Sequence, residues 1–294
     1  MDLKQLECFV RVAEFGSFTK AAAVLNISQS VVSRQVRQLE VELQEHLLRR
    51  NGRGVLLTGS GQRLFEHGKG ILRQVQVARE DLREQRDTLS GKVVIGLPPS
   101  ISRRHTVALV TAFRKRFPNC ILGIKEGLTH SVREWLLLGR LDFALLFNPG
   151  QKAQLQYEHL HSEPLMLIGS QHSDLPATVP MKDLGKFPLI TPSEPHSIRR
   201  LIETEATRHE VQLDISLEID SIPSLLELID LDMGYGVLFR SALVNGNGQL
   251  EGLKAAQIVD PTIQTHLFVA TFEQRPLSRL AEQTMALVRE ICIP

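Results

Sequence analysis

Apolar residues in the first part of the chain recur at helical spacing. Leu3, Leu6, Val10 and Ala13 share one face of a helix, and Gly16 ends it. Ser17 is placed to cap a second helix running through Leu25, whose Ala21, Ala22 and Leu25 form a small apolar face. Asn26-Ile27 makes a turn. Ser28 then caps a third helix in which Val32, Val36, Leu39 and Leu43 face inward. The opposite face presents Gln29, Ser30, Ser33, Arg34 and Arg37, groups able to bond base edges or phosphates. Two short helices in tight succession, the second polar on its outer face, predict a helix-turn-helix. The plainer alternative is a three-helix bundle with a solvated polar face.

The segment from Leu47 to Thr58 places two apolar runs around Asn51-Gly52-Arg53-Gly54, which predicts a hairpin. Arg49, Arg50 and Arg53 make it a basic wing, suited to phosphates or a minor groove. A long helix is expected over 59–88. Leu64, Gly68, Ile71, Val75, Ala78 and Leu82 alternate in steps of four and three, a heptad seam flanked by charged positions. At ~1.5 Å per residue such a helix spans roughly 40 Å, too long for a small domain to cover, so the seam predicts a partner chain.

From residue 92 onward, short β-rich runs alternate with helical stretches, the mark of an α/β domain. Strands are expected at 92–97, 120–125, 142–147, 164–169, 187–191, 213–219, 235–239 and 265–272. Helices are expected near 102–117, 130–139, 197–210, 222–233 and 277–291. This alternation predicts parallel sheets with ligands beyond their C-terminal strand ends. Three strand ends turn into polar loops there: Pro98-Pro99-Ser100-Ile101-Ser102, Gly127-Leu128-Thr129-His130-Ser131, and Phe147-Asn148-Pro149. Ser100 or Ser102 and Thr129 or Ser131 can sit at helix N-termini, where free N–H groups attract an anion.

The net charge of +1 decides nothing, but its distribution does. Residues 17–63 hold seven basic and three acidic side chains, while 91–294 hold 20 basic and 22 acidic. Positive charge is concentrated where a polyanion would dock. Aromatic residues make up 5% of the chain, which disfavours binding single strands by stacking. Cys8, Cys120 and Cys292 lack metal-ligand spacing and imply a reducing compartment. His159-x-His161 would put two imidazoles on one strand face without a third ligand, so no metal or other cofactor is expected. Gly234-Tyr235-Gly236 is too short for a pyrophosphate, and Gly59-Ser60-Gly61 is not a nucleophile elbow. No catalytic constellation is found, so no enzyme is expected. The N-terminus is not a signal peptide and no apolar run approaches a membrane span, which predicts a cytoplasmic protein.

The run Ser17-Phe18-Thr19-Lys20-Ala21-Ala22, then Ser28 through Glu40, then Arg50 through Gly61, resembles the DNA-binding domain of LysR-type transcriptional regulators. Gln44, where that family usually has a helix-ending glycine, and Ser30, often proline there, are departures. The effector half looks similar to the nitrogen-assimilation-control branch.

The resemblance implies an N-terminal all-α winged helix-turn-helix plus a long linker helix. It also implies a C-terminal α/β periplasmic-binding-protein-like domain of two subdomains. The expected division is 1–58, 59–88 and 92–294, with subdomain I about 92–162 and 266–294 and subdomain II about 163–265. Ser17, Thr19, Gln29, Ser30, Ser33, Arg34, Arg37, Arg50 and Arg53 would contact double-stranded promoter DNA. Pro99, Ser100, Ser102, Thr129, His130, Phe147, Asn148, Pro192 and Ile222 would line the site of a small polar or anionic inducer. Leu64, Ile71, Val75, Ala78 and Leu82 would join copies into a dimer or tetramer. RNA polymerase is admitted as a further partner. Arg240, where the family commonly has proline, and the Asn245-Gly246-Asn247-Gly248 loop are departures in the effector half.

Overall fold

The structure, a computed structural model, describes residues 1–51, 54–83, 89–150, 152–243 and 252–292, without the side chains of Arg50 and of residues 80–83. Arg53, the 245–248 loop, and the side chains of Arg50 and Leu82 therefore lie outside the described residues. The chain forms two compact units, Met1–Thr88 with Leu137–Arg140, and the remainder.

In the first unit, α1 (Leu3–Phe15), α2 (Phe18–Leu25) and α3 (Gln29–Leu43) enclose one core containing Leu6, Phe9, Val12, Ala21, Val32, Val36 and Leu39. Each Leu, Phe and Val among them contributes about 1.5–3 kcal/mol on full burial. Asp2 and Gln5 cap α1 reciprocally, with Gln5 N–H donating to Asp2 Oδ1 at 2.7 Å and Asp2 N–H to Gln5 Oε1 at 2.9 Å. Ser17 and Ser28 cap α2 and α3 as expected, accepting from Lys20 N–H at 3.3 Å and Val31 N–H at 3.4 Å. Leu43 departs from the expected inner row. It is 37% exposed at the last helical position.

Strands β1 (Leu48–Asn51) and β2 (Gly54–Leu57) pair antiparallel from Leu48↔Leu57 to Asn51↔Gly54. Their base is pinned at two points. Val55 N–H donates to Gly16 O at 3.0 Å, and Glu40 Oε1 accepts from Leu47 N–H at 2.8 Å. Helix α4 (Gly59–Arg83) follows, its first turn capped by Thr58 Oγ1 accepting from Gly61 N–H at 3.0 Å.

The second unit is built on a mixed sheet. Strands β3 (Gly91–Leu97), β4 (Cys120–Glu126) and β5 (Phe143–Phe147) run parallel, with β3 between the other two. The long β6 (Leu155–Gly169) and β12 (Gln264–Phe272) then run antiparallel to complete the order β4-β3-β5-β12-β6. The far half of β6 also belongs to a second array, pairing antiparallel with β10 (Tyr235–Phe239) and β11 (Lys254–Val259). There β10 continues in parallel to β8 (Leu189–Thr191) and β9 (Ile215–Glu218), while β11 takes the short β7 (Thr178–Pro180). The expected all-parallel sheets are thus corrected to mixed ones. One strand returning through both arrays removes the need for a helical crossover at each step.

Helices α5 (Pro99–Arg116), α6 (Thr129–Leu137), α7 (Ser197–Arg208), α8 (Ile222–Asp230) and α9 (Arg279–Cys292) complete this unit. Between β6 and β12 the register passes from Leu267↔His161 to Phe268↔His159, so Leu160 is bulged out. The bulge interrupts the alternation that would align His159 and His161. His159 Nε2 and His266 Nδ1 instead each lie 2.7 Å from Ser162 Oγ.

Candidate DNA-reading face and effector cavity

Helix α3 buries Val32, Val36 and Leu39 and leaves Gln29, Ser30, Arg34 and Arg37 exposed, with Ser33 half-buried beside them. The polar residues therefore form one accessible strip on a helix held rigidly from behind. Thr19 is exposed on α2, while Ser17 is half-buried and occupied as a cap. Ser30 Oγ lies 2.9 Å from Ser28 Oγ, which orients it at the first turn of α3. Arg49 on β1 is also exposed.

The seam of α4 divides. Leu64 packs against the helical core, and a Cβ at Gly68 would meet Val10 Cγ2 at 2.9 Å and Leu6 Cδ1 at 3.0 Å. Those first positions serve the chain's own domain. Ile71 is 39% exposed, Val75 half-buried and Ala78 exposed.

In the second unit a cavity of about 370 Å³ is lined by the first residues of four helices: Pro99 of α5, Thr129 of α6, Ser197 of α7 and Ile222 of α8. Helix N-termini carry partial positive charge from their free N–H groups. On α7 that end is capped by His196, whose Nδ1 accepts from Ile198 N–H at 3.3 Å, and on α8 by Ser221. Helix α5 has no side-chain cap and opens on Pro98-Pro99, so Ser100 and Ile101 bring the first N–H groups. Burial pushes the His196 imidazole below its ordinary pKa, against the opposing pull of Asp220, which favours the neutral ring that the Nδ1 cap requires.

Of the expected effector residues, Pro99, Ser100, Thr129, Phe147 and Ile222 line this cavity. The other four are placed elsewhere. Ser102 Oγ lies 3.2 Å from Thr106 Oγ1 within α5, and Pro192 O accepts from the buried Arg199 Nη1. His130 and Asn148 line an adjoining cavity. The Asn148 amide is further committed to β12: Nδ2 donates to Thr265 Oγ1 and Oδ1 accepts from His266 N–H, both at 2.9 Å. The Thr129 hydroxyl donates to Phe147 O at 3.2 Å, so only its lone pairs face a ligand.

Sequence reasoning did not find His196, Ile198, Leu238, Phe239, Ser241 and Ala242 in the wall. Glu163 fixes the Ser241 side, accepting from Ser241 N–H at 3.0 Å. Among the described residues, no group of three His, Cys, Asp or Glu is placed to hold a metal ion. Likewise, no described helix is long and apolar enough to cross a membrane.

Residues 3–62 match the bacterial regulatory helix-turn-helix protein, lysR family, and residues 86–292 match the LysR substrate binding domain. The chain belongs to the LysR family of transcriptional regulators. As a LysR-type regulator it binds promoter DNA, self-associates and responds to a small molecule. It is 31% identical to the nitrogen assimilation regulatory protein nac of Escherichia coli, covering 99% of this chain and 95% of that one. The Klebsiella aerogenes protein of the same name is 32% identical over 96% of this chain and 92% of its own. Among solved structures, a full-length OxyR variant from Pseudomonas aeruginosa superposes with a TM-score of 0.75 at 21% identity, covering 99% and 94% of the two chains. CbnR complexed with its target DNA superposes at 0.71 with 19% identity, covering 99% of each. These structural likenesses establish the LysR-type fold.

Proposed function

We propose that this regulator reads its operator with Gln29, Ser30, Ser33 and Arg34 in the major groove. Arg37, Arg50 and Arg53 contact the backbone or minor groove, and Ser17 and Thr19 approach the phosphates. The carrying observation is the exposed polar strip of α3 opposite the buried Val32, Val36 and Leu39. Residues 1–58 act as the DNA-binding part, 59–88 as the linker joining copies into a dimer or tetramer, and 92–294 as the sensor. The reading gives the protein no catalytic step, places it in the cytoplasm and admits RNA polymerase as a further partner.

A small polar or anionic inducer occupies the cavity at the four helix ends and shifts the balance between two arrangements of the sensor. A metabolite suits the site better than an oxidant. Cys8 and Cys292 are buried, and burial pushes both thiols up, Cys292 to about 12, away from the reactive thiolate, while the half-buried Cys120 thiol donates to Leu89 O at 3.3 Å.

The test uses a DNA fragment selected by the full chain from a random-sequence pool. Arg34→Ala should weaken binding to that fragment by about 1–3 kcal/mol in fluorescence anisotropy and relax its base preference. Binding equal to that of the parent protein would show that Arg34 does not read bases.

A further inference from the structure

The effector cavity is continued by a second one. Another space of about 370 Å³ shares Thr129 and Ser197 with it and extends between α6 and α7. Their chemistry differs. The first cavity is walled largely by apolar groups such as Leu128, Phe147, Leu238 and Phe239, and its charged groups are Arg103 against Glu126 and Asp220. A ligand's negative charge placed there would meet more acid than base. In the second, Arg133, Arg200 and Arg208 stand against Glu205 alone.

Those three arginines are not equivalent. Arg208 Nη1 donates to Glu205 Oε1 at 2.7 Å, which neutralises it. Arg133 is half-buried and gives one N–H to Pro149 O at 2.7 Å, a neutral acceptor that orients the guanidinium without cancelling its charge. Arg200 is exposed, and among the described residues it has no carboxylate partner. Two uncompensated guanidiniums, one on α6 and one on α7, therefore border the same concave space beside an apolar chamber.

We propose that the ligand is an organic acid whose apolar body fills the first cavity and whose carboxylate lies in the second, between Arg133 and Arg200. This rests on the reading of the first cavity as the inducer site. It moves the anionic end away from the hydroxyls of Ser100 and Thr129. Guanidinium–carboxylate bonding is directional and charge-assisted. A carboxylate between the two guanidiniums also relieves their mutual repulsion, so bound ligand draws α6 and α7 together. The acid is thereby recognised and the sensor's arrangement changed by the same contact.

Calorimetric titration of the full chain with ω-phenylalkanoates, from phenylacetate to 6-phenylhexanoate, tests this against the matched primary alcohols. The best acid should bind about tenfold or more tightly than its alcohol. Arg200→Gln should remove about that tenfold from the acid and leave the alcohol unchanged, whereas Arg208→Gln, which releases the Glu205 carboxylate into the same space, should weaken the acid less than Arg200→Gln does and leave the alcohol unchanged. Ser100→Trp, which fills the first cavity, should abolish both, with circular dichroism confirming the fold of each variant. If Ser100→Trp leaves acid and alcohol binding intact, the cavity reading itself fails. If Ser100→Trp abolishes both but Arg200→Gln spares the acid, the cavity stands and the arginine site is overturned. Equal loss of acid and alcohol on Arg200→Gln, or no binding by any acid of the series, also overturns it.

Discussion

Gln44 ends α3 with φ 53° and ψ 33°, left-handed backbone that a side chain with a Cβ adopts at a cost. It is exposed, so no packing compensates for that conformation. Gln44→Gly should raise stability by up to about 1 kcal/mol, the left-handed relief being partly offset by the freer unfolded chain. Urea unfolding of the two proteins would check this, and a fall in stability would contradict it. Gly61 presents the opposite case. A Cβ there would lie 1.9 Å from Leu47 O, on a residue buried beneath the wing. Gly61→Ala must displace either the start of α4 or the base of β1. It should destabilise by about 1–3 kcal/mol in the same measurement.

At the scale of elements, α4 has two tasks along its length. Its first turns complete the helical core through Leu64 and the close approach at Gly68, while Ile71 and Ala78 remain exposed. Ile71→Glu and Val75→Glu should convert the oligomer to monomers in sedimentation velocity, and at the exposed Ile71 this should happen without lowering the urea midpoint of the monomer, because a carboxylate there is costly only in the closed interface. Leu64→Glu should instead destabilise the fold. An unchanged oligomer in the first two variants would remove the seam from the interface.

The first helices were legible because their apolar rows repeat and because Ser17 and Ser28 stand at the right offset to cap α2 and α3. Strand β10 was legible as a short apolar run. The first half of β6 was not: the alternation of His159 and His161 hinted at a strand, but Gln156, Glu158 and Ser162 give no apolar run, and the expected strand begins only at Pro164. Its backbone is set by pairing with β12, more than a hundred residues away. The cavity was half legible for the same reason. Loops at strand ends announced Pro99, Ser100 and Thr129, but nothing local marks Leu238 or Ala242 as neighbours of Ser100.

For the whole molecule, acid sensitivity follows from two half-buried imidazoles. His196 and His105 both have pKa values pushed below the ordinary 6.5, chiefly by burial. Above that value both folded and unfolded chains hold neutral rings. As pH falls through 6.5 the unfolded chain binds protons first, so stability declines until the folded rings protonate as well. His196→Asn keeps a capping acceptor without a titrating group, and should flatten part of the decline in unfolding midpoint between pH 7 and pH 5. An unaltered slope would assign the acid sensitivity to other groups.

The strand order β4-β3-β5-β12-β6 bears on how the protein is made. Strand β12 lies between β5 and β6, yet it is the last strand of the chain to be synthesised. The apolar core of the first unit is closed by residues between Leu6 and Leu72, so it can form while the ribosome is still far from residue 264. The sensor cannot, since until β12 inserts, β5 and β6 each expose an unpaired edge. A nascent chain therefore acquires the means to hold DNA well before the means to be told to let go. Ribosome pausing or a premature stop within that interval would leave a DNA-binding fragment deaf to its ligand and prone to pairing through open strand edges.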